Sequence, residues 1–230
     1  MNFPKFNIII VCTGYASQLK ICLHYWSQMK YCNYEIFIIT YIKDIATINV
    51  CEQYKNVNFI LYDGEKFHHK GQLIDYGLSM IKNKGDYTIL SDADMIFSPS
   101  TLLRTANSLA EQDNKIISSL REDISERDLP LLFSSYKTKN VNWVWENISV
   151  EILSPSPFMG WFLAFPSSYI DKIDFITDHQ GYDIVDWKIF GQLVSYGLKK
   201  EIIYIDNCPL HIYHGPKGSN WRGINHQFFQ

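Results

Sequence analysis

Residues 7–12, Asn-Ile-Ile-Ile-Val-Cys, form an unbroken run rich in β-branched side chains that stops at Thr13-Gly14. A strand with apolar residues on both faces must be covered on both sides, which is the situation of a central strand in a parallel sheet running into a loop. Leu19, Cys22, Leu23, Trp26 and Met29 then recur at spacings of three and four, which predicts an amphipathic helix over residues 17–30. The unit repeats, with strands expected over 35–40 and 57–61 and a helix over 45–54 between them. Leu73, Gly77, Met80 and Ile81 mark one face of a further helix, and residues 87–90 form a strand that runs directly into Ser91-Asp92-Ala93-Asp94. Alternation of this kind predicts an α/β fold, a Rossmann-like, mostly parallel central sheet flanked by helices and built with right-handed crossovers.

A chain of 230 residues suits one such domain, and its 47% hydrophobic content fills a core without disulfides. The second half is less regular. Residues 121–128 are strongly charged and Ser154-Pro155-Ser156-Pro157 reads as a turn, so a subdomain seam is expected near residue 100. The formal net charge of -3 gives no basic face, which argues against nucleic acid as a partner. Aromatic residues reach 15% of the chain, which fits either a cleft that stacks rings on sugars or bases or simply an aromatic-rich core. The five cysteines are odd in number and lack C-x-x-C spacing, so they read as reduced, buried thiols of a cytosolic protein. No apolar run is long enough for a membrane span and residues 1–5 lack a signal peptide's apolar stretch. The expected location is therefore cytoplasmic, and peripheral association at the inner face of a membrane is compatible with the sequence.

The strongest local signal is the pair Asp92 and Asp94 at the end of an apolar strand. Residues i and i+2 of an extended backbone point to one side, so both carboxylates are expected to address one site. Two such anions are costly side by side unless a cation lies between them. A hard divalent ion with oxygen ligands, Mg²⁺ or Mn²⁺, is the natural occupant and would bridge them to a diphosphate. The competing reading is a solvated turn.

This stretch, Tyr87 to Phe97, resembles the D-x-D segment of the GT-A glycosyltransferases, the large inverting family two and its galactosyltransferase-like relatives. The preceding Lys70-Gly71-Gln72-Leu73-Ile74-Asp75-Tyr76-Gly77 is similar to the helix that precedes that motif in the family. The resemblance implies a GT-A fold in which Asp94 binds the metal directly and Asp92 contacts the metal, the ribose or both, with Ala93 between them at the nucleotide-sugar. Gly181-Tyr182-Asp183-Ile184-Val185-Asp186-Trp187 resembles the family's block that carries the catalytic aspartate, which falls on Asp186. A carboxylate at a helix start can take the acceptor hydroxyl's proton. Val185 stands where the family has Glu and Gln192 where it has Arg, which makes Asp183 a substitute for catalysis or acceptor contact. Asp183 or Asp186 could equally cap the helix that follows. Pro209-Leu210-His211-Ile212-Tyr213-His214-Gly215 looks like the family's segment in which a histidine completes the metal shell, His214 first and His211 second. Imidazole favours Mn²⁺ over Mg²⁺.

The same resemblance places Thr13, Gly14 and Tyr15 beside the base and ribose, although Thr40-Tyr41 replaces the aspartate usual after the second strand. Asp63 and Lys70 are further contacts to the nucleotide-sugar, and Arg222, beside Trp221 in the tail, would neutralise the departing diphosphate. Gly160 and Trp161 look like the glycine loop beside the acceptor, where Gly admits the sugar and Trp161 stacks on it; the alternative is an ordinary buried strand. Ligands of open α/β sheets gather at the carboxyl ends of the strands, so residues 1–100 are expected to hold the nucleotide-sugar and 101–230 the acceptor. The implied activity is metal-dependent, inverting transfer of a sugar from a UDP-sugar to a hydroxyl of a glycan or a lipid-linked acceptor. Two other readings compete. One is a nucleotidyltransferase, disfavoured because Thr13-Gly14-Tyr15-Ala16 has one glycine and no nearby basic residue. The other is a catalytically silent nucleotide- or sugar-binding domain, which Val185 and Gln192 keep open.

Overall fold

The computed structural model describes residues 3–64, 70–82, 84–112, 114–154, 160–176, 182–203 and 207–212, the side chains of 151–154 and 182–184 excepted. The chain opens with β1 (Phe6–Val11), α1 (Ala16–Trp26), β2 (Tyr34–Tyr41), α2 (Ile45–Cys51), β3 (Val57–Tyr62), α3 (Lys70–Met80) and β4 (Tyr87–Asp92). These are the strands and helices expected from the apolar pattern, with shifted ends. The first helix stops at Trp26 instead of Lys30, because Gln28 and Met29 N–H groups bond three residues back to Tyr25 and Trp26 and Lys30 N–H is drawn to the carbonyl of Pro99. The chain continues through β5 (Met95–Ile96), α4 (Thr101–Glu111), β6 (Lys115–Ser118), β7 (Arg121–Ile124), α5 (Leu129–Ser135) and α6 (Val141–Asn147). It closes with β8 (Val150–Ser154), β9 (Leu163–Pro166), α7 (Tyr182–Ser195), β10 (Lys199–Ile202) and β11 (Leu210–His211).

Among the described residues, seven strands form one sheet in the order β10-β6-β9-β4-β1-β2-β3, and four form a second in the order β5-β11-β7-β8. The large sheet is parallel except for β9, which runs antiparallel to both β4 and β6. The unbroken apolar run of β1 is explained by its two covered faces. Ile8 and Ile10 join Leu19, Cys22, Leu23 and Trp26 of α1 in one layer. Ile9 joins Leu73 and Leu78 of α3 and Val185, Ile189 and Leu193 of α7 in the other. Ile96, Ile124, Leu210 and Ile212 of the small sheet bury a third cluster with Leu132, Val141 and Val144 of α5 and α6.

The seam anticipated near residue 100 does not separate two sheets, since β6, β9 and β10 all complete the sheet that β1 to β4 begin. Cys12, Cys22 and Cys51 are buried as expected, and burial pushes the Cys51 thiol up to about 12. Cys32 is exposed and Cys208 half-buried, so the expectation of five buried thiols does not hold for these two. No helix among the described residues is long and apolar enough to cross a membrane.

Candidate active site

Two loops at the carboxyl ends of the parallel strands build the site. The first follows β1. Thr13 is buried and Gly14 has φ 75°, a left-handed conformation that an L side chain resists. Its N–H donates to Asp44 Oδ2 at 2.8 Å. Asp44 is buried at the N-cap of α2, where Oδ1 accepts from Thr47 N–H at 3.1 Å and Oδ2 from Thr47 Oγ1 at 2.8 Å. The acidic residue missing directly after β2 thus has a neighbour in Asp44, which braces the Gly14 turn from beneath. Asp44-Ile45-Ala46-Thr47 carries the sequence signal of a helix cap, but not of that tether. Tyr15 packs half-buried against the α1 layer, and Asp63 is exposed just past β3.

The second loop carries the acidic pair. The expectation that Asp92 and Asp94 share one face by strand alternation fails, because β4 ends at Asp92 and residues 93 and 94 form a turn. The two carboxylates instead engage different partners. Asp92 Oδ1 lies 2.7 Å from Lys70 Nζ, and the same ammonium lies 3.2 Å from Asp186 Oδ1. Lys70 is the first residue of α3 and Asp186 lies one turn into α7, so the ammonium joins the strand end to the helix 94 residues further on. Burial pushes the Asp186 carboxyl above its ordinary range, against the pull of Lys70 and with the help of Asp92. Burial alone would lower Lys70, but the two carboxylates hold it above its usual value. Gly160 makes this contact possible: a Cβ there would stand 2.4 Å from Lys70 Nζ and 2.5 Å from Asp186 Oδ1. The side chain of Ala93 turns into the apolar core, so this residue can face a ligand only through its backbone.

Asp94 is buried and meets a different partner. Its carbonyl accepts from Ile212 N–H at 2.8 Å, and Oδ2 lies 3.3 Å from His211 Nε2. His211 Nδ1 meets Asp123 Oδ1 at 3.0 Å, and that oxygen also lies 3.1 Å from Arg121 Nε. The small sheet is what assembles this row, since β11 pairs His211 with Met95 on one side and Asp123 on the other. Burial on its own would lower the His211 pKa, but Asp94 and Asp123 outweigh it and raise it to about 9. Asp123 and Arg121 were visible in the sequence only as members of a charged run.

The Arg121 guanidinium sits 4.7 Å from the centre of the Trp161 ring. That ring is 3% exposed and donates from Nε1 to the carbonyl of Ser119 at 3.1 Å. The stacking platform for an acceptor expected of Trp161 is therefore corrected: its ring is buried and carries a cation on its face. Val185 is fully buried between α7 and the sheet, and Gln192 is spent on Asp174 N–H and carbonyl, so neither departure from the family pattern opens into the site. Asp183 lies on α7, but its side chain, like all of Trp221, Arg222 and His214, lies outside the described residues.

Asp94 and His211 are the residues of this site whose chemistry suits a divalent cation. Carboxylate and imidazole are ligand types that suit Mn²⁺, and here Asp94 Oδ2 and His211 Nε2 meet each other directly at 3.3 Å. Asp123 fixes the second imidazole nitrogen, as outer carboxylates do for metal-bound histidines. Among the described residues no group of three or more His, Cys, Asp or Glu side chains surrounds a common position. The remaining ligands would come from a diphosphate and water.

The mostly parallel sheet with one reversed strand is shared with the GT-A glycosyltransferase fold, and solved structures of that class superpose on the chain. The mannosyltransferase PcManGT from Pyrobaculum calidifontis, in complex with GDP-Man and Mn²⁺, matches 99% of this chain and 62% of its own at TM-score 0.63 and 16% identity. TarS 1-349 from S. aureus in complex with UDP-GlcNAc matches 97% of this chain and 65% of its own at TM-score 0.65 and 10% identity. Its complex with UDP gives a TM-score of 0.66 at 10% identity over 91% of this chain and 60% of its own. The chain thus spans less than two thirds of the length of these proteins, and at such identities the likeness speaks for the fold. No curated protein matches the chain in sequence. Residues 4–142, more than half of the chain, match Glycosyltransferase like family 2, and the chain belongs to that family.

Proposed function

We propose that the protein is a metal-dependent, inverting glycosyltransferase that moves a sugar from a UDP-sugar to a hydroxyl of a glycan or lipid-linked acceptor. The observation that carries this reading is the linkage of Asp92 at the end of β4, through Lys70, to the buried Asp186 on α7. It joins a donor-side carboxylate to a carboxylate with raised proton affinity, which is what a base for an acceptor hydroxyl requires. GDP-Man and Mn²⁺ in PcManGT and UDP-GlcNAc in TarS support a nucleotide-sugar donor, and the first of them supports the cation.

In this reading residues before 100 seat the nucleotide, with the Gly14 turn braced by Asp44, and later residues face the acceptor. Asp186 takes the proton of the acceptor hydroxyl as its oxygen attacks C1 of the sugar. The new C1–O bond forms as the bond from C1 to the diphosphate oxygen breaks on the opposite face, which inverts C1 and releases UDP. Lys70 orients Asp186 and keeps it ionised until attack. Asp94 and His211 would hold Mn²⁺ or Mg²⁺, which would supply charge neutralisation for the departing diphosphate. His214 and Arg222 remain candidates for the same shell and the same charge.

The test is UDP release from a panel of UDP-sugars with Mn²⁺, in wild type, Asp186→Asn and Asp94→Ala. We expect turnover in wild type, its loss in both variants, and UDP binding that survives Asp186→Asn. Donor binding with no turnover in any protein would mark a silent binding domain, and release of pyrophosphate would mark a nucleotidyltransferase.

A further inference from the structure

A cleft of about 570 Å³ opens between residues 28 and 30 just past α1, residues 98–100 and α6. Its volume lies within the range of small-molecule sites. Its lining combines the half-buried ring of Trp145 with Asn142, Asn207, Lys30 and Glu146. The indole is held in place, because Nε1 donates to the carbonyl of Cys208 at 2.8 Å. Around the cleft some polar groups are already spent: Asn140 Oδ1 accepts from Trp143 N–H, and Gln28 Oε1 accepts from Val141 N–H. The side chains of Asn142, Asn207, Lys30 and Glu146 are different. Among the described residues none of the four makes a hydrogen bond or ion pair within the protein.

We infer that this cleft is a second ligand site and that it takes a neutral oligosaccharide. A sugar ring presents an apolar face of C–H groups and a rim of hydroxyls that both donate and accept. Trp145 offers the matching flat apolar surface, which aromatic side chains supply at low entropic cost. Carboxamides both donate and accept, Glu146 accepts from paired hydroxyls and Lys30 donates to them. One ammonium and one carboxylate cancel, so the cleft holds no net charge for a phosphate or carboxylate ligand. Asn207 lies four residues before His211, so the cleft is no more than about 14 Å along the chain from the candidate metal site. Holding the distal part of a glycan acceptor is the role this position suggests, and that role rests on the transferase reading. The sugar binding itself does not.

The test therefore uses the full chain without donor or cation. Maltotetraose, cellotetraose, mannotetraose and chitotetraose are titrated at millimolar concentrations while the Trp145 indole and Asn carboxamide signals are followed by ¹H–¹⁵N NMR. At least one should shift the Trp145 signal and one carboxamide signal together. Asn142→Ala with Asn207→Ala, both at the solvent-accessible rim, should weaken that binding by about tenfold or more and leave UDP-sugar hydrolysis unchanged. Asp186→Asn should bind the same sugar normally, so loss of catalysis and loss of this site are read separately. No shift with any of the four sugars would overturn the inference. So would binding that survives the double variant, or tighter binding of inorganic phosphate than of any neutral sugar.

Discussion

Replacing Gly160 by alanine perturbs the centre of the site by one methyl group. The added Cβ would stand 2.4 Å from Lys70 Nζ and 2.5 and 2.6 Å from the two Asp186 oxygens, whereas ordinary contact begins at 3.4 Å. The ammonium and carboxylate must therefore retreat by about 1 Å, and both are buried, with little room to do so without loosening their pairing. Gly160 has no left-handed φ, so the effect is steric and not one of backbone strain. Displacing a catalytic group by about 1 Å costs on the order of 100-fold in rate. Separating a buried ion pair without removing either partner should destabilise by less than the roughly 3–5 kcal/mol of deleting one. We expect kcat for UDP release to fall about 100-fold, with Mn²⁺–UDP affinity by calorimetry within about threefold of wild type and a measurable fall in Tm. A Gly160→Ala enzyme with wild-type kcat and Tm would refute the idea that this close approach positions Asp186.

Asp123→Asn should leave UDP-sugar saturation nearly unchanged while raising the Mn²⁺ concentration for half-maximal activity by about 10- to 100-fold; an unchanged metal titration would remove Asp123 from the support of His211. Asp44→Ala loses the α2 cap and the tether to Gly14 N–H, at a cost of about 3 kcal/mol. In a domain of this size that lowers Tm by roughly 6–12 °C, and a melt within a degree or two of wild type would contradict it. Glu201 pairs with the buried Lys115 at 2.6 Å. Burial works to raise its carboxyl, but hydrogen bonds from Lys115 and Ser108 hold it below its ordinary 4.5. Its stabilising contribution is then complete above pH 4.5 and fades as pH falls through the lower folded value. Because the side chain is a third exposed, that contribution is about 1 kcal/mol or less. Thermal melts of wild type and Glu201→Gln should differ at neutral pH and converge in acid, and a constant gap would exclude the linkage.

Features set by local pattern were legible in the sequence and features set by distant contacts were not. The two-sided burial of β1 is written in its unbroken apolar run, and the acidic end of β4 in the switch from Leu90 to Asp92. The reversal of β9 has no local signature, because its partners lie more than 40 residues away on β4 and β6. The separate partners of Asp92 and Asp94 depend on the turn at residues 93 and 94 and on Lys70 and His211, which are distant in sequence and which no local pattern brings together. Trp161 was read as a sugar platform because an aromatic beside glycine looks alike whether buried or exposed; its burial follows from Arg121 and Ser119, some 40 residues earlier. Arg121 and Asp123 enter the site only because β11 docks between β5 and β7.

The single reversed strand has a further consequence. Because β9 runs against its neighbours, with Leu163 beside Leu90, the residues that lead into it emerge on the same rim as those that leave β4. Gly160 therefore reaches Asp186 from a segment that no parallel strand has to supply. Insertions or deletions between residues 154 and 160 would lengthen or reshape that approach without breaking a rung of either ladder, since β8 ends at Ser154 and β9 begins at Leu163. Diversification of what the rim admits is thus mechanically uncoupled from the strands that carry the nucleotide, a freedom that a wholly parallel sheet of the same size would lack.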